Sequence, residues 1–133
     1  YAHLQKPVLV EDVSLEINAF GGMPGPFIKW FLEQSGEDSI CKMLDGFDDR
    51  SATIRCVFGY YDGEIIEYFE SEMPGRISDF ARGESGFGFD RIFVMDGYNV
   101  CRAELSQDEI EQTYANKMKP FSAVKTFLEL INS

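Results

Sequence analysis

Between Ser51 and Tyr60 every second residue is apolar: Ala52, Ile54, Cys56, Phe58 and Tyr60 would share one face of an extended chain. Asp62-Gly63 follows, a pair suited to a tight turn, and Glu64 to Glu72 leads back. A hairpin with one buried face is predicted, and a lone hairpin is not stable in water, so other elements must cover that face.

The remaining sequence supplies both further strands and the cover. Pro7 precedes Val8-Leu9-Val10, a short apolar run of the buried-strand type that delivers Glu11 and Asp12 at its carboxyl end, where α/β sheets place ligands. A second apolar segment, Leu15 to Phe20, runs into the turn-rich GGMPGP, and Pro26 is set to open a helix over Phe27 to Gln34. SICKMLDG reads as another short helix stopped by Gly46. Ser106 and Glu109 stand at capping-box spacing with Leu105 and Ile110 as a hydrophobic staple, which starts a helix at Gln107. Pro120 opens the last helix, whose Phe121, Val124, Leu128 and Ile131 fall on one face. The predicted class is α/β of the mixed α+β kind, a central mixed sheet with an antiparallel hairpin and flanking helices. At 133 residues the chain is sized for one domain.

Charge and residue counts narrow the chemistry. With 12 Lys+Arg against 23 Asp+Glu the net charge is −11, which argues against a nucleic-acid polymer, whose binding rests on cations meeting phosphates. No apolar run is long enough to cross a bilayer. The cysteines Cys41, Cys56 and Cys101 form no CxxC pair and are odd in number, which fits a reducing, cytoplasmic setting. His3 is the only histidine, so histidine-based triads and histidine-rich metal sites are disfavoured and the chemistry must rest on carboxylates. The first residue is Tyr1, and YAHLQKPVLV has no basic leader.

One stretch stands apart: GESGFGFDRIF, Gly83 to Phe93, sets glycines and phenylalanines around Asp90. It reads either as a strand with a bulge or as a pocket in which glycines admit a planar base, rings stack on it and a carboxylate accepts its hydrogen bonds.

Four stretches then combine: VEDV at Val10 to Val13, GGMPGPFIKWF at Gly21 to Phe31, GFGFD at Gly86 to Asp90, and AELSQDE at Ala103 to Glu109. In this order and at these separations they resemble the inosine triphosphate pyrophosphatase family, and the likeness covers nearly the whole chain from Pro7 onward. The resemblance implies hydrolysis between the α and β phosphates of a deaminated or otherwise aberrant nucleoside triphosphate, with Mg²⁺ (or Mn²⁺) as cofactor, in a homodimer. It places Asp12 and Glu11 at the metal and at the attacking water, and Val13, Lys29, Phe87, Gly88, Phe89 and Asp90 against the substrate.

The match has departures. The family's opening strand and phosphate-binding loop find no counterpart ahead of Tyr1, so residues 1–133 are expected to form one amino-terminally shortened domain, associating with itself or with a chain that supplies those elements. The family's carboxyl-terminal lysine and histidine-arginine pair correspond to Ile110, Ala115 and Asn116, so the usual contacts to a 6-oxopurine are not inherited; Asn116 remains the candidate contact there. Lys117 and Lys119 could restore the missing charge, and Arg91, where the family has proline, could meet phosphate or solvent. Two alternatives to the enzyme stay open: a noncatalytic nucleotide-binding or scaffolding relative, and one half of a two-chain enzyme.

Overall fold

The computed structural model describes residues 1–114 and 118–133. A five-stranded sheet, β1 (Val8–Ile17), β2 (Pro24–Gly25), β3 (Ser51–Tyr61), β4 (Ile66–Ile77) and β5 (Phe93–Met95), runs in the order β2-β1-β3-β4-β5. Helices α1 (Ile28–Ser35) and α2 (Glu37–Met43) lie between β2 and β3 in sequence, and α3 (Gln107–Thr113) and α4 (Phe121–Ile131) follow β5.

The central hairpin has the predicted alternation: Ala52, Ile54, Cys56, Phe58 and Tyr60 are all buried. Its turn is longer than a two-residue one, because Asp62 Oδ1 accepts hydrogen bonds from the amides of Glu64 (2.9 Å) and Ile65 (2.8 Å) and delays re-entry until Ile66. The α+β class holds, but the sheet is antiparallel throughout and not mixed, since the α1–α2 excursion returns β3 against β1 in the opposite sense. Two apolar segments expected before the first helix are one strand in part: β1 stays extended through Glu11 to Val13, and Leu15 and Ile17 at its far end are fully buried. The Gly83 to Phe93 run is not a strand. Gly83, Gly86 and Gly88 adopt φ of 90, 75 and 60°, which turns the chain out of the pleat, and only Phe93 onward pairs with β4.

The main core packs the hairpin's inner face against Ile28 of α1, Ile40 and Cys41 of α2, and Ile92, Phe93 and Met95. Each fully buried aliphatic side chain of this kind contributes about 1.5–3 kcal/mol. A smaller cluster, Cys56, Phe58 and Val124 with Phe69 and Leu128, lies under α4. The predicted capping box is present, with Ser106 Oγ accepting from the Glu109 amide (3.3 Å) and Glu109 Oε2 accepting from the Ser106 amide (3.1 Å).

β5 sits very close to β4. A Cβ at Gly75 would stand 2.3 Å from the Val94 carbonyl oxygen and 2.6 Å from Phe93 Cζ. Gly75→Ala is therefore expected to cost about 2–3 kcal/mol by overpacking, measurable as a lower urea midpoint with an unchanged m-value.

Candidate active site

A cleft of about 470 Å³ opens between β1, α1, the Gly83 to Phe93 loop and the end of α3. Its walls carry Glu11, Asp12 and Val13 from β1, Lys29 and Trp30 from α1, Phe87 to Asp90 from the loop, and Tyr114 and Lys119. Residues far apart in sequence thus meet at one place, which covers the candidate metal and substrate residues Glu11, Asp12, Val13, Lys29 and Phe87 to Asp90, while Arg91 does not line it. Asn116, with Lys117, lies outside the described residues.

Adjacent strand residues point to opposite faces, so Glu11 and Asp12 diverge. Glu11 lies on the face of Phe58, and its Oε1 accepts a 2.6 Å hydrogen bond from Lys119 Nζ. The Lys119 side chain is only 1% exposed and its ammonium stands 4.8 Å from the centre of the Tyr114 ring. Glu11 is thereby neutralised. Asp12, on the other face, is exposed and has no hydrogen-bond or ion-pair partner among the described residues. It still reaches the cleft because β2 pairs only with Leu15 and Glu16, leaving the edge of β1 open beside it among the described residues.

Burial draws the Lys119 pKa down, but the hydrogen bond to Glu11 and neighbouring negative charge overcome this and leave it raised above the ordinary 10.5. Stabilisation from a raised lysine is present below the unfolded pKa and lost as pH climbs through the folded one. Lys119→Met is accordingly expected to destabilise the chain by about 1–2 kcal/mol at neutral pH, less than for a fully buried pair because Glu11 reaches water. The gap between parent and variant should narrow only above pH 10.5, as denaturant titrations at several pH values would reveal.

Lys29 is exposed on the first turn of α1, where free backbone amides already favour anions, and it has no ion-pair partner among the described residues. The loop residues divide. Phe87 is 67% exposed and makes an edge contact with Tyr114, ring centroids 6.0 Å apart, whereas Phe89 is buried against Phe93. Of the two phenylalanines, only Phe87 offers an open face. Asp90 is also buried: Oδ1 accepts from Arg102 Nε at 2.9 Å and Oδ2 from the Phe87 amide at 3.1 Å. Its carboxylate is engaged inside the protein at the point where the sequence places a base reader. Arg91 binds Glu37 of α2 and the Gly83 carbonyl (2.9 Å), so it braces the loop.

Trp30 and Tyr114 escape the sequence reading, although both line the cleft. A usable signal exists for Trp30: the chain's single tryptophan is 59% exposed beside Lys29, on the helix that the GGMPGP turn opens. All three cysteines are buried and unpaired with one another, and burial pushes the Cys41 thiol up to about 11, which leaves it protonated and unreactive near neutrality.

Among the described residues, no group of three or more His, Cys, Asp or Glu side chains could hold a metal ion. Mg²⁺ does not require one. It binds through one or two carboxylates, with water and substrate phosphates completing its shell, so Asp12 fits as the protein ligand while Glu11, tied to Lys119, does not.

Fold and cleft together define an α+β protein with a charged, aromatic-walled site beside a β1 edge left unpaired among the described residues. The Ham1 family model matches residues 1–126, and the chain belongs to that family. It is 42% identical over 127 residues to "Inosine triphosphate pyrophosphatase 2" of Trypanosoma cruzi (strain CL Brener), covering 94% of this chain and 64% of that protein. With the inosine triphosphate pyrophosphatase of Candida albicans (strain SC5314 / ATCC MYA-2876) it shares 39% identity over 124 residues, covering 92% and 60% respectively. The chain thus spans less than two thirds of the length of these curated relatives. Among solved structures, the Staphylococcus aureus Ham1 protein superposes with a TM-score of 0.84 at 26% identity, over 96% of this chain and 69% of that one. A HAM1 protein from Coxiella burnetii gives 0.83 over 95% and 68%, a likeness of fold at 24% identity.

Proposed function

We propose that this cleft, in the whole protein, hydrolyses nucleoside triphosphates carrying deaminated or otherwise aberrant bases to a nucleoside monophosphate and pyrophosphate. The observation that carries the reading is convergence. Asp12, Lys29 and Phe87 stand far apart in sequence, and in a Ham1 family chain they line one cleft.

The chemistry assigns each a role. Lys29 and the first turn of α1 attract the phosphates, Phe87 with Tyr114 offers an aromatic wall for the base, and Asp12 takes the proton of the attacking water or holds a cation at the scissile anhydride. Mg²⁺ or Mn²⁺, when bound, would supply charge neutralisation at the phosphates and polarise the phosphorus under attack. Relatives named inosine triphosphate pyrophosphatases support a purine with a 6-oxo group, whereas Ile110, buried in this core, removes the lysine that such relatives are expected to carry.

A panel of nucleoside triphosphates that includes ITP, XTP, dUTP and the standard four, each with Mg²⁺ or Mn²⁺, tests the reading by pyrophosphate release. Release from at least one substrate is expected of the whole protein, and silence across the panel from the whole, folded protein would contradict it. A binding-only module is the second reading, favoured by the neutralisation of Glu11; it predicts nucleotide binding without release and no change in that binding on Asp12→Asn.

A further inference from the structure

We infer that Arg102, which lies outside the cleft, is a positioning residue that holds the aromatic wall in place and so sets how tightly a nucleobase is gripped. The inference rests on the nucleotide reading above and concerns a residue that does not itself line the cleft. Arg102 is 1% exposed, an unusual place for a guanidinium, and its donors face two elements at once. Nε donates to Asp90 Oδ1 (2.9 Å) and Nη1 to Thr113 Oγ1 (3.0 Å). Asp90 passes the constraint to the loop, because its other oxygen accepts the Phe87 amide and its carbonyl accepts the Ala103 amide (3.0 Å). Thr113 passes it to α3, next to Tyr114, whose ring meets the ring of Phe87.

The backbone is shaped to this arrangement. A Cβ at Gly86 would stand 2.4 Å from Asp90 Oδ2, and one at Gly83 would stand 2.4 Å from the Ala103 carbonyl carbon, so Gly86 leaves room for the paired carboxylate and Gly83 lets the loop close down on the Arg102 segment. One forked cation therefore fixes both halves of the wall, and a lysine, a point charge without the fork, could not serve Asp90 and Thr113 in the same way.

Two variants test this. Arg102→Lys keeps the charge, and Thr113→Val leaves the Asp90 pair intact while cutting the link to α3. Amide exchange at Phe87, read by NMR without nucleotide, should be protected in the parent and faster in Arg102→Lys. Trp30, the only tryptophan, lines the cleft and reports binding of a non-hydrolysable triphosphate analogue by fluorescence. In both variants the analogue Kd and the KM are expected to rise about tenfold, with kcat held within about twofold. Unchanged Kd and KM in both would overturn the inference, as would a kcat that falls with the melting temperature while KM stays put. Failure of the functional reading has its own signature: the parent would keep Phe87 protected yet show no Trp30 response to any nucleotide, and the inference would fall with it.

Discussion

The Asp12→Asn variant is expected to release pyrophosphate at least ~100-fold more slowly than the parent, the usual scale for loss of a catalytic acid or base, while melting at the same temperature. Asp12 is exposed and has no side-chain partner among the described residues, so the neutral isostere breaks no structural contact. What it removes is the negative charge that the proposed chemistry calls for, whether to accept a proton from water or to hold a cation at the phosphates. A hundredfold loss corresponds to about 2.7 kcal/mol of transition-state stabilisation. Glu11→Gln provides the contrast. Its carboxylate is tied to Lys119, so its substitution should act mainly on stability and less on turnover. Parallel steady-state kinetics and thermal melts of the two variants separate these effects. Equal kinetic losses would mean that both acids serve the reaction.

Arg102→Met carries the largest expected stability effect. The substitution leaves Asp90, whose side chain is 5% exposed, as a buried carboxylate with one oxygen unpaired. Orphaning one partner of a buried pair costs about 3–5 kcal/mol, a large share of the roughly 5–15 kcal/mol that holds a domain together. Thr113 Oγ1 also loses its guanidinium partner, though it keeps the Glu109 carbonyl as an acceptor at 2.8 Å. The double variant Asp90→Asn with Arg102→Met should recover part of the loss, because no charge is then left buried, and a double-mutant cycle in urea measures the coupling. If Arg102→Met alone costs under about 1 kcal/mol, the site is wetter than its burial indicates.

The parts of this molecule legible in sequence are those whose signal is local. Alternation from Ala52 to Tyr60 reports one buried face, and Ser106 with Glu109 reports a helix start, because both patterns are complete within a few residues. That Asp12, Lys29 and Phe87 share one cleft is also anticipated, but through motif resemblance, since nothing local distinguishes an exposed aspartate or lysine from a solvated one. The rest depends on pairs that only the fold brings together. Glu11 meets Lys119 across 108 positions, and no spacing rule reaches that far. Asp90 reads as a ligand-facing acid beside glycines and phenylalanines, yet those glycines turn it inward to Arg102. Phe87 and Phe89, two residues apart, would share a face of the predicted strand; the left-handed glycine between them sends one to the surface and the other to the core.

The products themselves distinguish cleavage between the α and β phosphates from any other hydrolysis of a triphosphate. The whole protein is incubated with Mg²⁺ and whichever triphosphate gives the strongest Trp30 response, and the products are followed by ³¹P NMR. Nucleoside monophosphate and pyrophosphate are expected to appear together in equal amounts, at least ~100-fold more slowly from Asp12→Asn. Nucleoside diphosphate with inorganic phosphate, or an unchanged triphosphate in a whole protein that binds it, would contradict hydrolysis to monophosphate and pyrophosphate.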